Sequence, residues 1–250
     1  MAQRSNGMSR FYVPKESVKA KTIVIDGEEA HHIIDVMRLK PSDGIFAFDG
    51  TGREYAGIIR SVNKKSVVID IVRTIEPAAK TGVKITLIQA IPKKAKMDYI
   101  VEKATELGVS AVIPIFTQRT IPDWDDEKKT SCAERWRKIA LEASKQSSRA
   151  EIPEVAGIKD FSGSIKDAGG SDLALIATLA NGAVRLRDAI EDFKGKTIAV
   201  AIGPEGDFTP EEVKEAMAAG FKPVSLGSRI LKSDTAGLAV LAILDYELSK

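Results

Sequence analysis

The chain has 250 residues, 44% of them hydrophobic and 29% charged, and a formal net charge of +2 at pH 7. This length and ordinary composition are sufficient for a real core, in one large domain or two modest ones. The single Cys132 excludes an internal disulfide framework, and with only His31 and His32 beside it a standard zinc site is excluded as well.

No apolar run approaches the roughly 20 residues that span a bilayer, and no signal peptide is visible at the polar start of the chain. The sequence therefore predicts a cytoplasmic protein without a membrane segment. Met1 to Gly7 is typical of a flexible leader, and ordered structure is expected from about Ser9. The small positive charge permits a nucleic-acid partner but does not argue for one.

Short strands and turn clusters fill the region from Arg10 to about Arg73. Strands of this length and spacing favour a small barrel. One short helix is predicted over Glu28 to Met37, because its apolar residues recur at helical spacing. Of the adjacent histidines His31 and His32, one is expected to be packed and the other exposed. The predicted strands are Arg10–Val13, Thr22–Ile25, Gly44–Phe48, Glu54–Val62 and Ser66–Val72.

Glu76 to Gly82 is typical of a linker, and beyond it the pattern changes to alternating strands and helices. This alternation predicts an α/β fold with a parallel sheet and helices on its faces. Thr209-Pro-Glu-Glu212 is a capping box that starts one helix. The other predicted elements are strands Ile85–Ile91, Val112–Phe116, Leu173–Ala177, Thr197–Ile202 and Pro223–Leu226, and helices Lys96–Leu107, Ala133–Gln146 and one from Ser233 or Asp234 to the C-terminus.

Two turns carry the strongest functional signal. Ile202-Gly-Pro-Glu-Gly-Asp-Phe208 and Leu226-Gly-Ser-Arg-Ile-Leu-Lys-Ser-Asp-Thr-Ala236 each follow a predicted strand and enter a helix. Open α/β sheets bind ligands beyond the carboxyl ends of their strands, so the two turns are expected to line one pocket made mostly of main chain.

The first turn alone is equally consistent with a tight strand-to-helix connection, since glycine often only supplies a turn conformation. It lacks the Gly-Lys-Ser/Thr of a phosphate-binding loop. The charged residues Arg229, Lys232 and Asp234 favour a functional second turn, although a solvated loop is the simpler alternative. Glu142–Arg149 and Pro92–Lys96 are open to the same two interpretations, as a solvated surface or an anion-binding one.

Taken in order, these segments resemble the SPOUT-class RNA methyltransferases, and within that class the 16S rRNA uracil-N3 methyltransferase family. Two departures stand out. Asp207 stands where the family usually has a second glycine, and Lys232-Ser-Asp-Thr-Ala236 replaces Arg-Thr-Glu-Thr-Ala. The motifs that carry the resemblance are Arg10-Phe-Tyr-Val-Pro14, His31-His-x5-Arg38-Leu-Lys40, Lys93-Lys-x-Lys-Met-Asp98, Glu102-Lys-Ala-Thr-Glu-Leu-Gly108, Glu142-Ala-x2-Gln-Ser-x-Arg149, Ile202-Gly-Pro-Glu-Gly206 and Leu226-Gly-x-Arg-Ile-Leu231.

The resemblance implies a PUA-like RNA-binding barrel over residues 9–75 and a SPOUT domain with a trefoil knot over residues 80–250. It implies a homodimer, no metal, and S-adenosylmethionine as methyl donor. Topological base rates argue against a knot, so nothing but the resemblance predicts it. The implied cofactor-binding residues are Leu179, Ile202, Gly203, Pro204, Gly206, Leu226, Gly227, Ile230, Leu231, Thr235 and Ala236.

The implied reaction transfers a methyl group to uracil N3, which must first lose its imide proton. Arg229 is the expected stabiliser of negative charge on the uracil oxygens, and Glu205 or Asp234 the expected proton acceptor. A flipped-out base is expected, because N3 lies on the pairing edge. The partner is 16S rRNA or the small ribosomal subunit, and the expected RNA contacts are Arg10, Arg38, Lys93, Lys94, Arg119, Gln146 and Arg149.

Three other interpretations stay open from the sequence. The chain could methylate a different nucleotide or a ribose oxygen, since the cofactor turns look alike. It could be an RNA-binding or assembly factor without activity, against which the near-complete turn motifs speak. A nucleotide hydrolase or kinase is disfavoured, because neither a phosphate loop nor a cluster of metal-binding carboxylates is present.

Overall fold

A computed structural model of the chain describes residues 9–77, 82–93, 96–120 and 124–248. The chain forms two compact units, one of Met1–Thr81 with Ser144–Ile152 and one of Gly82–Ala143 with Pro153–Lys250. The predicted leader lies outside the described residues, as does most of the predicted linker. Among the described residues, no helix is long and apolar enough to cross a membrane.

A six-stranded sheet with the strand order β1-β4-β5-β6-β3-β2 forms the first unit. Strands β1 and β4 are parallel, and the other pairs are antiparallel. All five strands predicted for this region are confirmed to within a few residues, and the two-residue β2 is additional. The strands are β1 Arg10–Tyr12, β2 Val18–Lys19, β3 Thr22–Asp26, β4 Gly44–Phe48, β5 Glu54–Val62 and β6 Ser66–Ile75.

The core of this unit follows from alternation along the strands, since successive side chains of a strand point to opposite faces. The predicted helix is present as α1 (Gly27–His31), continued by a π-helical turn over His32–Val36. Ala30 and Ile33 are its buried residues. The two histidines divide as predicted. The ring of His32 packs edge-on against Phe11 at 5.7 Å, whereas His31 is exposed and pairs with Asp35.

The first unit also contains Ser144–Ile152, which the predicted boundaries assigned to the second domain. The backbone N–H of Gly52 donates to Ala150 O, and that of Ile152 donates to Gly50 O, both at 3.0 Å. These long-range pairings have no signature in the local sequence pattern.

The second unit contains a parallel sheet, as predicted, with the order β10-β8-β7-β13-β11-β14-β12 and β9 beside β8. The five predicted strands are confirmed with shifts of one residue or none at each end. The three two-residue strands were not predicted. The strands are β7 Lys84–Ala90, β8 Ala111–Phe116, β9 Glu154–Val155, β10 Lys159–Asp160, β11 Leu173–Ala177, β12 Val184–Arg185, β13 Thr197–Ile202 and β14 Lys222–Ser225.

Helices cover both faces of this sheet, and three of them differ from the prediction, either in extent or because they were not predicted. Helix α3 begins at Asp126 rather than Ala133, because its polar first turns carry no apolar period. The short helices α4 and α5 were not predicted. The helices are α2 Lys96–Glu106, α3 Asp126–Gln146, α4 Phe161–Ala168, α5 Leu186–Ile190, α6 Pro210–Ala218 and α7 Ser233–Leu248.

Local signals fixed the ends of several of these helices. Gly108 follows α2 with a φ of +87°, as expected of a residue that ends a helix in the left-handed region. The capping box of α6 is present, with Thr209 and Glu212 each bonding the other's backbone N–H. Gly237 of α7 packs closely against side chains, since a Cβ there would lie 2.9 Å from Gln89 Oε1.

Candidate functional site

A cleft opens at the carboxyl ends of β11, β13 and β14, three strands that lie side by side in the parallel sheet. It encloses about 580 Å³, its open mouth included. Both glycine-bearing turns predicted to share a pocket contribute to it. The lining residues are Ala177, Thr178, Leu179, Ile202, Gly203, Pro204, Glu205, Asp207, Val224, Ser225, Leu226, Gly227, Arg229, Ile230, Leu231, Ser233 and Ala236.

Most of the residues expected at the cofactor and catalytic positions meet at this cleft, including Glu205 and Arg229. Gly206, Thr235 and Asp234 belong to the same turns but do not line it. The lining residues that the sequence interpretation did not name are Ala177, Thr178, Val224, Ser225 and Ser233. Four of these lie within one residue of the carboxyl end of β11 or β14, so the position of each strand end was the available signal.

Asp207 joins two walls of the cleft. Its Oδ2 accepts hydrogen bonds from Thr178 Oγ1 at 3.0 Å and from the backbone N–H of Leu179 at 2.9 Å. Its φ is +60°, in the left-handed region that favours glycine and that aspartate tolerates better than most residues. This backbone conformation would suit glycine as well, and the aspartate side chain supplies a link that glycine lacks.

Glu205 lies on the open side of the same turn, where its side chain is exposed. Its two carboxylate oxygens accept from the backbone N–H of Lys93 at 3.1 and 3.3 Å. Glu205 thus lines the cleft while its carboxylate is tethered to the segment that follows β7.

Arg119 holds the outer side of the turn. Its guanidinium donates to the carbonyl oxygen of Gly206 and, at 3.4 Å, to that of Phe208. A Cβ on Gly206 would lie 3.4 Å from the Arg119 side chain, an ordinary van der Waals contact, so this arginine does not by itself require glycine there. The described geometry gives this arginine a structural contact at the cleft.

A buried polar chain supports the floor of the cleft. Gln89 Nε2 donates to Ser233 Oγ at 3.0 Å, and Ser233 Oγ donates to the carbonyl oxygen of Gly203 at 2.6 Å. Neither Gln89 nor Ser233 was expected at the site. The next residue, Asp234, pairs with Lys96 at 3.4 Å beside the cleft.

Exposed apolar side chains flank the mouth of the cleft. Leu179 is 61% exposed and Ile230 is 79% exposed. Such side chains at the rim of a pocket are suited to cover an apolar part of a ligand. Arg229, next to Ile230, is exposed as well and supplies a positive charge at the same rim.

The residues expected to contact RNA have different surroundings. In the first unit, Arg10 donates to Glu54 at 2.9 Å and lies 4.1 Å from the centre of the Phe48 ring, whereas Arg38 and Gln146 are exposed. Burial lowers the pKa of the Arg149 guanidinium, and the Glu151 carboxylate opposes that shift. In the second unit Lys93 is exposed, and Lys94 lies outside the described residues.

Comparison with known proteins identifies the family. The family described as RNA methyltransferase domain matches residues 79–245, and that described as RNA methyltransferase PUA domain matches residues 25–72. A ribosomal RNA small subunit methyltransferase E from Bacillus subtilis is 32% identical, over 96% of this chain and 97% of its own. The chain belongs to this RNA methyltransferase family.

Other members extend the likeness. The ribosomal RNA small subunit methyltransferase E of Synechocystis is 32% identical over 93% of this chain and 76% of its own. The solved structure of the Neisseria gonorrhoeae enzyme of that name, bound to S-adenosyl methionine, has a TM-score of 0.84 at 30% identity and covers 96% of this chain and 98% of its own. A Legionella pneumophila methyltransferase in complex with the same cofactor has the same TM-score, identity and coverage.

Proposed function

We propose that this family member methylates N3 of a uridine in 16S rRNA of the small ribosomal subunit, with S-adenosylmethionine as methyl donor. The observation that carries the proposal is the cleft at the ends of β11, β13 and β14, which combines a main-chain wall with Arg229 and Glu205 at its rim. The relatives that act on small-subunit rRNA and the neighbours solved with bound donor support the same assignment.

The lining of the cleft fits this donor. Strand ends and glycine turns present backbone N–H and C=O groups, which suit the hydrogen-bonding edge of an adenine. Gly227 has a φ of +123°, and a Cβ there would meet no atom of the described residues within 4 Å, so this wall has room for a ligand. Apolar contacts to the donor would come from Leu179, Leu226 and Ile230. When bound, S-adenosylmethionine supplies an electrophilic methyl group on a sulfonium sulfur.

Arg229 is the proposed stabiliser of the uracil. Loss of the N3 proton places negative charge on the two neighbouring carbonyl oxygens, and a guanidinium presents paired donors to such oxygens. Its exposure at the rim lets it reach a base that has been flipped out of the RNA. The remaining work of the site is to align N3 with the methyl group.

Glu205 is the proposed proton acceptor. It lines the cleft, and its tether to the Lys93 N–H orients the carboxylate. Asp234, the alternative, pairs with Lys96 and does not line the cleft. In the proposed step N3 gives its proton to Glu205 and forms a bond to the methyl carbon. The carbon–sulfur bond breaks with its electron pair on sulfur, so the sulfonium charge is neutralised.

Both units are proposed to contact RNA, through Arg38 and Gln146 in the first and Lys93 in the second. The exposure of these three side chains supports the assignment. Arg10, Arg119 and Arg149 stay proposed contacts; within the chain, Arg10 also donates to Glu54 and Arg119 to the carbonyl oxygen of Gly206. Substitution of a phosphate-contacting residue should weaken RNA binding and reduce its salt dependence, and an unchanged salt slope would remove that residue from the set.

A homodimer is proposed on the basis of exposed apolar and aromatic side chains on α2 and α7, two helices that pack together. Tyr99 is 51% exposed and Tyr246 is 83% exposed. Such surface is typical of a subunit interface. Light scattering tests this directly. A wild-type mass of one chain at micromolar concentration would contradict it, and Tyr246→Asp is expected to yield that mass.

The same proposal includes a trefoil knot in the second unit. After β14 the chain returns to β7, where Gly237 of α7 lies against the side chains of Leu87 and Gln89. A return of this kind, past the 203–208 turn, is what a knotted path requires. A crystal structure whose chain could be pulled straight from both ends would overturn this part of the proposal.

The decisive test is transfer of labelled methyl groups to small-subunit RNA and to assembled small subunits from cells that lack this protein, followed by nucleoside analysis. The expected product is 3-methyluridine. A different methylated nucleoside would retain the donor and discard the target base. No transfer and no donor binding by calorimetry would favour an RNA-binding or assembly factor.

A further inference from the structure

Gln89 and Ser233 are polar residues in an apolar interior. Gln89, near the carboxyl end of β7, is 0% exposed, and Ser233, the first residue of α7, is 4% exposed. Polar side chains are buried at a cost unless they are hydrogen-bonded, so each bond of the pair is informative.

The hydrogen bonds of the pair are donated in sequence, from Gln89 to Ser233 and from Ser233 to Gly203. Gln89 Nε2 donates to the carbonyl oxygen of Ala90 at 2.9 Å and to Ser233 Oγ at 3.0 Å. The hydroxyl has only one proton, which it donates to the carbonyl oxygen of Gly203 at 2.6 Å. The amide therefore fixes the rotamer of the serine, and the serine fixes the carbonyl in the wall of the cleft.

Stability alone does not account for the amide. Gln89 Oε1 is buried without a hydrogen-bond partner among the described residues, and Gly237 packs so closely that a Cβ would come within 2.9 Å of it. A buried acceptor without a partner destabilises the fold. An unbranched apolar side chain of the same length would fill this space without that penalty.

We propose that Gln89 is a positioning residue of the donor site, which acts through Ser233 to hold the Gly203 turn against the start of α7. This inference rests on the proposed function, because it assigns the cleft to S-adenosylmethionine. Gly203 lies in one wall of the cleft, whereas Ser233 ends the loop that forms the other. The relay sets the spacing between the two walls, and hence the fit of the donor.

The test separates positioning from stability. Gln89→Met keeps the length and volume of the side chain but removes its hydrogen-bonding N–H group. Ser233→Ala removes the hydroxyl, which Ser233→Thr retains. Ser164→Ala is the matched control, since Ser164 is also fully buried, donates to Asp160 O at 2.8 Å and lies away from the cleft on α4. Each full-length variant is measured by urea unfolding, by calorimetric binding of S-adenosylmethionine, and by steady-state methylation of small subunits.

We expect Gln89→Met to unfold at the same or a higher urea concentration than wild type, yet to bind the donor about tenfold more weakly, as loss of one positioning hydrogen bond implies. Ser233→Ala should weaken binding similarly, with no further loss in the double variant because both act in one relay. Ser233→Thr should restore binding. Ser164→Ala should lose stability without loss of affinity.

Two results would overturn the inference. Gln89→Met and Ser233→Ala could bind the donor as tightly as Ser164→Ala does, or their losses could add in the double variant. Either result, with wild-type binding intact, leaves the proposed function in place. If wild type itself fails to bind S-adenosylmethionine, the proposed function and this inference fail together.

Discussion

The carboxylate of Asp207 accepts the backbone N–H of Leu179 at 2.9 Å and so ties the turn after β13 to the end of β11. The same carboxylate also accepts from Thr178 Oγ1 and, through its other oxygen, from the Phe208 N–H. Neighbouring walls of the cleft thus share one side chain. The fixed geometry of a donor site would depend on it.

Replacement of Asp207 separates this link from backbone strain. Asp207→Gly tolerates the φ of +60° but removes the three hydrogen bonds. Because those bonds are lost, we expect the affinity for S-adenosylmethionine to fall about tenfold. Asp207→Ala removes the bonds and adds the left-handed penalty, so it should be less stable than the glycine variant by about 1 kcal/mol. Calorimetry and urea unfolding measure the two effects. Equal stability of the two variants would contradict the strain argument.

Arg229→Ala should lower kcat for methylation of small subunits by about 10²–10³, because it removes charge stabilisation that is needed only as the uracil ionises. The dissociation constant for the donor should change less than threefold. Arg229→Lys keeps the positive charge but loses the paired hydrogen-bond donors, so its kcat should lie between those of the wild type and of Arg229→Ala. An equal loss of turnover and donor affinity would assign Arg229 to donor binding instead.

Glu205→Gln should lower kcat by about 10²–10⁴ if the carboxylate takes the N3 proton. The glutamine retains an acceptor for the Lys93 N–H, so the turn should keep its position. Asp234→Asn is the companion variant, for which we expect less than a tenfold loss. Single-turnover assays with donor in excess measure both, and the reverse ranking would move the base to Asp234.

The start of α6 should be especially sensitive to substitution of Glu212. Its carboxylate accepts from the backbone N–H groups of Thr209 and of Gln118, both at 2.8 Å, and it is buried. Thr209→Ala should cost about 1 kcal/mol of unfolding free energy, as for loss of one cap. Glu212→Ala should cost about 2–3 kcal/mol, since two donors lose a charged partner. Faster hydrogen exchange at Gln118 in the Glu212 variant alone would identify the second bond.

Asp49 should make the first unit sensitive to acid. Burial raises the pKa of this carboxyl, but hydrogen bonds from Thr51 and Tyr55 and the charge of Arg53 outweigh burial and hold the pKa below its ordinary value. A carboxyl with a lowered folded-state pKa contributes stability above its unfolded pKa, and the contribution is lost as pH falls through the folded value. Stability should therefore decline below about pH 4.

Asp49→Asn tests this contribution. The variant should be about 1–3 kcal/mol less stable than wild type at neutral pH, with the difference shrinking as the pH falls below about 4. Unfolding of the variant and the wild type, followed from pH 7 to pH 2, measures the difference. A constant difference across that range would exclude the carboxylate charge as its source.

Sequence reasoning located the long strands of both sheets because alternation and apolar runs are local properties. The glycine turns, the capping box and the left-handed Gly108 were predictable for the same reason, since each depends on backbone conformation within a few residues. Helix α3 was predicted to start late, and α4 was missed. Their polar or weakly periodic segments become helical in the context of the folded unit.

The sequence by itself determined that a region of short strands is followed by a region of alternating strands and helices. It also determined the parallel sheet and the two turns that meet at the cleft. Tertiary structure alone decided which side chains join those turns. Asp207 and Leu179 are 28 residues apart, and Gln89 and Ser233 are 144 apart. Contacts over such separations depend on which strands become neighbours, so no local pattern of residues encodes them.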